Sequence, residues 1–191
     1  MHHRKIKGKD KYVFKRYNSI YRQAFKKERV RLYDGLGHEN VAIEHVGSTA
    51  VPGLGGKNIL DIIVGLKKGK RLAIKKKIQK LGYDFVGTAG SRRRLFFVRD
   101  STYRHKSIRI HLHLVKFGGE EWQQKIAFRD YLIGHREAVL EYESVKKIAV
   151  KEAKGNKERY LKAKEKFINS ITKKALKNYN TVSQRFLHKA Q

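Results

Sequence analysis

The chain has 191 residues, no cysteine, one proline, and 46 Lys plus Arg against 17 Asp plus Glu, a formal net charge of +29 at pH 7. That length suits one medium domain, or a small α/β domain with a helical appendage, and is enough to bury a core. The missing cysteines exclude disulfides and thiolate metal sites, and no apolar run approaches the roughly 20 residues of a membrane span. The start, Met1-His-His-Arg-Lys5, lacks the apolar stretch of a signal peptide, so a soluble cytoplasmic protein with no membrane partner is expected.

Residues 1–11 are basic with few large apolar groups and are expected to be disordered. From Asn18 to Leu36, Tyr21, Phe25, Leu32 and Leu36 follow helical spacing, with Asn18 or Ser19 as N-cap. Val41 to Ile43 and Ile59 to Val64 read as short strands around an ordered loop. Lys67 to Gly82 reads as a basic helix making apolar contacts through Leu72, Ile74, Ile78 and Leu81. Three extended runs follow: Tyr83 to Val86, Leu95 to Arg99, and Ile108 to Val115. In the last, Ile108, Ile110, Leu112 and Leu114 alternate with Arg109, His111 and His113.

From Glu120 the chain reads as helical, with apolar positions at Phe128, Leu132, Val139, Tyr142, Val145 and Ile148. After a break near Gly155-Asn156 the pattern resumes at Tyr160, Phe167, Ile171 and Ala175, so two long helices are expected to form a hairpin. The element order describes an α/β (α+β) architecture with a small mixed sheet flanked by helices. The expected organisation is an α/β core over 12–119, a helical part over 120–178 packed on it, and a frayed tail over 179–191.

The chemistry gathers in IEHVGSTAVPGLGGKNILDIIVGL, residues 43–66, which holds the only proline. Gly47-Ser48-Thr49 leaves the first strand so that backbone N–H groups and two hydroxyls can converge on a phosphate. Lys57 brings a cation towards the same mouth. Asp61 is the only acid between Glu44 and Asp84, and inside an apolar strand it needs a partner. His45, just before the loop, is either a general base or a brace for it. Arg92, Arg93 and Arg94 either clamp phosphates, with Arg94 the candidate, or form a solvated turn.

At these residues the stretch resembles the GrpB family, a branch of the nucleotidyltransferase-fold superfamily: EH-V-GST-A-VPGL, then Lys57, then an apolar step to Asp61. The resemblance continues through Tyr17 and Glu28 upstream, then His111-Leu-His113, Phe128-Arg-Asp-Tyr-Leu132, Tyr142 with Lys146, and Tyr160 with Lys164 and Phe167. It covers most of 12–175 and implies a nucleotidyltransferase-like sheet. The family usually has proline after the motif lysine, where this chain has Asn58.

The superfamily pattern places two acids one residue apart on the strand after the Gly-Ser turn and a third on a later strand. Together they hold Mg²⁺ across a triphosphate and an attacking hydroxyl. Here Asp61 is followed by Ile63, and the late strand offers His111 and His113. One carboxylate and two imidazoles read as a single-metal site for Mg or Mn, or another transition metal, or else as a hydrogen-bonded histidine ladder.

The resemblance implies ATP or another nucleoside triphosphate as substrate, bound by Gly47, Ser48, Thr49, Lys57 and Arg94, with Asp61 and His45 catalytic. The acceptor, the oligomeric state and any natural partner are not legible. A non-catalytic nucleotide- or RNA-binding module is the alternative, and a metal-dependent hydrolase or phosphotransferase a third. The basic excess is spread over the whole chain, which points to salt-sensitive, nonspecific nucleic-acid association without a dedicated arm. Arg129-Asp130 reads as structural, each pairing with a different group because neighbours on a helix do not share a face. Trp122 reads as a core anchor.

Overall fold

The computed structural model describes residues 14–187. The basic stretch 1–11 and residues 188–191 lie outside the described residues.

Helix α1 spans Ile20–Leu36, and Asn18 Oδ1 starts it by accepting the Ile20 N–H at 3.0 Å. The helix buries Tyr21, Ala24, Phe25, Glu28, Leu32 and Leu36 on one stripe, a spacing of three and four residues. Strands β1 (Val41–Val46) and β2 (Ile59–Leu66) flank the loop, which opens on a 3-10 turn at Ser48–Ala50. Helix α2 (Arg71–Lys80) is shorter than its basic run. The N–H groups of Lys67 and Lys68 are taken by the Asn40 carbonyl at 2.8 and 3.2 Å, which holds them in a turn after β2. Leu72, expected to face inward, is 62% exposed, and only Ile74 and Ile78 of α2 are buried.

Strands β3 (Asp84–Gly87), β4 (Leu95–Tyr103) and β5 (Lys106–Lys116) complete a five-stranded sheet ordered β1-β2-β5-β4-β3. The β2–β5 pair is parallel and the other three are antiparallel. Residues paired directly across strands share a face. Ile43, Leu60, Ile62, Val64, Ile110, Leu112 and Leu114 bury one face in a core with α1 and α2. On the other face, Val46, Ile63 and Val115 pack against Trp122 and Ile126 of α3 (Glu120–Gly134).

Two further helices follow, α4 (Arg136–Ala153) and α5 (Lys157–Leu187). The expected hairpin is thus a three-helix layer, because His135 adopts an extended conformation and ends α3 directly after Gly134. The second break falls where Gly155-Asn156 place it, with Lys154 and Gly155 at positive φ and Asn156 Oδ1 accepting the Arg159 N–H. Helix α5 continues to Leu187, through residues expected to form a frayed tail. Ile148, expected inside, is 54% exposed. Leu132, Val139, Tyr142, Phe167 and Ile171 of the three helices pack on Val51 and Leu54, so the helical layer rests on the loop between β1 and β2.

Candidate functional site

Gly47 leaves β1 at φ +72, and a Cβ placed there would lie 2.4 Å from Asp61 Oδ2. Glycine is therefore required both for its conformation and for space. The turn closes with Ala50 N–H donating to the Gly47 carbonyl and Val51 N–H to that of Ser48, both at 3.2 Å. Ser48 Oγ lies 2.7 Å from where a Cβ of residue 56 would stand, and Lys146 Nζ lies 3.4 Å from the same point. Serine, Gly56 and a buried lysine from α4 thus meet at one place, and Lys146 Nζ donates to the Gly55 carbonyl there. Asn58 sits at φ +58, a conformation closed to proline, so the departure from the family pattern lies in the backbone itself.

Asp61 pairs in register with Val46 on one side and His111 on the other, and Ile63 pairs with His113, so acid and imidazoles share the α3 face. His111 Nδ1 and His113 Nε2 stand 3.5 and 3.7 Å from Asp61 Oδ1. Burial alone would push the Asp61 carboxyl up; the contacts and charge of His111 and His113 outweigh it and hold the group well below the usual carboxylate range. Burial, with help from Lys125, pushes His113 down to about 3 against the pull of Asp61, leaving a neutral ring beside an ionised acid at neutral pH. His113 Nδ1 is buried without a hydrogen-bond partner.

Two cations from the helical layer, Lys125 and Lys164, act on this acid, and a third, Lys146, acts together with Lys164. Burial pushes Lys164 down to about 8, with Asp61 opposing and Lys125 adding to the shift. Lys146 is pushed down to about 7 by burial first and Lys164 second. Lys125 is lowered by burial, again with Asp61 opposing. Lys57 and Lys164 each lie 4.1 Å from the centre of the Tyr160 ring, and Lys146 lies 4.8 Å from that of Tyr142. The sequence reading did not place Lys125, Lys146 and Lys164 in the site. Its available signal was the repeated aromatic–lysine step of four residues, Tyr142 to Lys146 and Tyr160 to Lys164, which puts ring and ammonium on one helix face.

Other expected residues lie elsewhere. His45 pairs with Ile62 and so faces the α1 side of the sheet, stacked on Phe25 at 4.8 Å between ring centres. Its Nε2 lies 3.0 Å from Thr49 Oγ1, which donates to the Ile59 carbonyl at 3.0 Å. His45 and Thr49 therefore brace the start of β2 from below, and neither faces the crevice that holds Asp61. Arg94 reaches the rim: its Nη2 donates to the Ala89 carbonyl at 2.6 Å, and Nε is 3.9 Å from Glu121 Oε2. Arg93 pairs with Glu120 on the surface.

Arg129 and Asp130 do bond each other, against expectation, because the long guanidinium folds back along its own helix (Nε to Oδ1, 2.7 Å). The same side chain donates to Glu44 Oε2 at 2.7 Å and to the His45 carbonyl at 2.9 Å, tying α3 to β1. Trp122 is a core anchor, 8% exposed against Phe117.

The donor set does not match a two-magnesium site. Ile63, where a second acid would stand, is fully buried under Trp122 and Ile126. Among the described residues there is no group of three or more His, Asp or Glu side chains placed to hold a metal ion. Asp61 stands between imidazoles and ammonium groups, an arrangement that suits an anion resting on the lysines better than a cation resting on the acid.

A mixed five-stranded sheet with a Gly-Ser turn packed on the acid of the next strand gives an α/β fold like that of nucleotidyltransferases. Residues 12–174 match the family model described as GrpB protein, and the chain belongs to the GrpB family. Glutamate-rich protein GrpB of Alkalihalophilus pseudofirmus is 26% identical over 166 residues, covering 86% of this chain and 95% of that protein. UPF0157 protein YqkA of Bacillus subtilis is 26% identical over 160 residues, covering 83% of this chain but only 46% of YqkA. Among solved structures, conserved protein GrpB from Enterococcus faecalis superposes with a TM-score of 0.75 at 27% identity, over 87% of this chain and 99% of that one. The Cid1 poly(U) polymerase with MgGTP bound superposes at 0.50 with 15% identity, over 73% of this chain and 44% of that one, a likeness of fold. No helix among the described residues is long and apolar enough to cross a membrane.

Proposed function

We propose that this protein binds a nucleoside triphosphate, ATP or a relative, in the crevice between Ser48, Asp61 and the lysines of the helical layer. The reaction served is nucleotidyl transfer to a hydroxyl-bearing acceptor: a small molecule, a protein side chain or an RNA end. The observation that carries this reading is the contact of Gly47 with Asp61, which joins the phosphate-type turn and the acid into one site. The likeness in fold to a polymerase crystallised with MgGTP supports it. In this chemistry the acceptor oxygen attacks the α-phosphorus and pyrophosphate leaves. Ser48 and the turn hold phosphate oxygens, the lysines offset their charge, and the ionised Asp61 orients the acceptor hydroxyl.

Ile63 favours a second reading, nucleotide or RNA binding without turnover, since a buried apolar residue stands where transfer chemistry uses a second acid. Incubation with α-labelled nucleoside triphosphates and candidate acceptors separates the two. Labelled product that disappears in Asp61→Ala establishes transfer; saturable binding with no product on any acceptor establishes the binding module. If neither binding nor product is found, both readings fall.

A further inference from the structure

We propose that lysine side chains take the place of a divalent ion in this crevice, so that it binds a polyphosphate anion without metal. The inference names the ligand chemistry of the site proposed above and takes its location from that reading.

Lys125, Lys146 and Lys164 come from three different helices, yet Lys164 feels Lys125, Lys146 feels Lys164, and Asp61 acts on Lys125 and Lys164. Lys125 and Arg94 also act on His113 at the floor of the site. Two carboxylates face this group from within, Asp61 and Glu121, the latter beside Arg94. A third, Glu143, acts on Lys146 but carries Lys147 on its Oε1 at 3.1 Å. Like charges gathered out of water repel, and a multiply charged anion relieves that repulsion, whereas a divalent cation adds to it.

Position supports the same conclusion. The Lys146 ammonium sits on the loop backbone at Gly55, next to Ser48 Oγ across Gly56, where a phosphate seated on the Gly47-Ser48 turn would need a counter-charge. Lys164 stands over the Tyr160 ring and feels the charge of Asp61. An anion of several linked phosphates can touch both lysines at once. The acid that would recruit a second metal ion is replaced by Ile63, which is locked into the apolar contact with α3.

The test is calorimetric titration of the full chain with ATP and, separately, with inorganic triphosphate, each in EDTA and again in Mg²⁺. Both ligands are expected to bind in EDTA with Kd within about threefold of the Mg²⁺ value. Lys146→Gln and Lys164→Gln should each weaken binding by about tenfold or more. Asp61→Asn should tighten metal-free binding, because it removes an anion from the ring. Thermal melts check folding; if Lys146→Gln unfolds, Lys164→Gln and Lys125→Gln carry the measurement.

Binding that appears only with Mg²⁺, or that Asp61→Asn abolishes, overturns the inference and leaves the nucleotide reading standing. Triphosphate binding in EDTA without any ATP binding upholds the inference and removes the nucleotide reading. Failure of both ligands in both conditions removes both.

Discussion

Asp61 carries its charge at neutral pH because the two imidazoles of His111 and His113 compensate for its burial. His45, on the neighbouring strand but the opposite face of the sheet, shows the opposite case: burial pushes its ring down to about 4, despite the attraction of Asp61. Its unfolded value is near 6.5. Between those pH values the folded chain binds fewer protons than the unfolded one, so this contribution is complete above about 6.5 and is lost as pH falls towards 4. The loss amounts to about 3 kcal/mol over the window. Urea unfolding of the wild type and of His45→Gln at pH 7 and pH 5 should show a shallower acid loss in the variant. Equal losses would refute the assignment. At this scale Gly47, Ser48, Asp61, His111 and His113 were legible, because strand alternation and turn chemistry are local rules. What covers the His45 face was not, since α1 supplies the cover by presenting Phe25.

Among the elements, α1 is fastened by a buried acid. Glu28, 7% exposed, accepts from Tyr83 Oη at 2.7 Å, from Arg31 Nη2 at 2.5 Å and from Arg99 Nη1 at 3.0 Å. Arg31 also donates to the Leu81 carbonyl at 2.9 Å, so α1, the end of α2 and β4 are joined through one carboxylate. Glu28→Gln leaves two guanidinium groups without their counter-charge and should destabilise the fold by about 3 kcal/mol. Chemical denaturation reads this directly, and a change under about 0.5 kcal/mol, the range of an ordinary surface substitution, would show that the network is not a fastening. Sequence periodicity located each helix from its apolar spacing. It missed the break at Gly134-His135 because a lone glycine inside a helical pattern is tolerated, and it overextended α2 because the capture of Lys67 and Lys68 by Asn40 is a tertiary event.

Over the whole molecule the charge of +29 acts at long range. The solvated faces carry it widely, with Lys67 to Lys80 free of any acid on the α2 side and the buried lysines on the other. Association with RNA of unrelated sequences should be steeply salt-dependent, with log K falling by about 0.7 per phosphate contacted per decade of salt on single strands. Filter binding at a series of salt concentrations measures the slope. Tight binding that is insensitive to salt and restricted to one sequence would show a dedicated recognition surface instead.

The order of elements through β5, the loop that joins a Gly-Ser turn to one acid, the two histidines one residue apart and the overall charge were all set by the sequence alone, since each follows from local spacing or from composition. What the tertiary structure decided was the surroundings of that acid. Helices far downstream of it in sequence bring Lys125, Lys146 and Lys164 to the crevice and seal Ile63 beneath Trp122. Electrostatics depends on distance through space, and the chain must be folded before lysines remote in sequence become the counter-charges of one site.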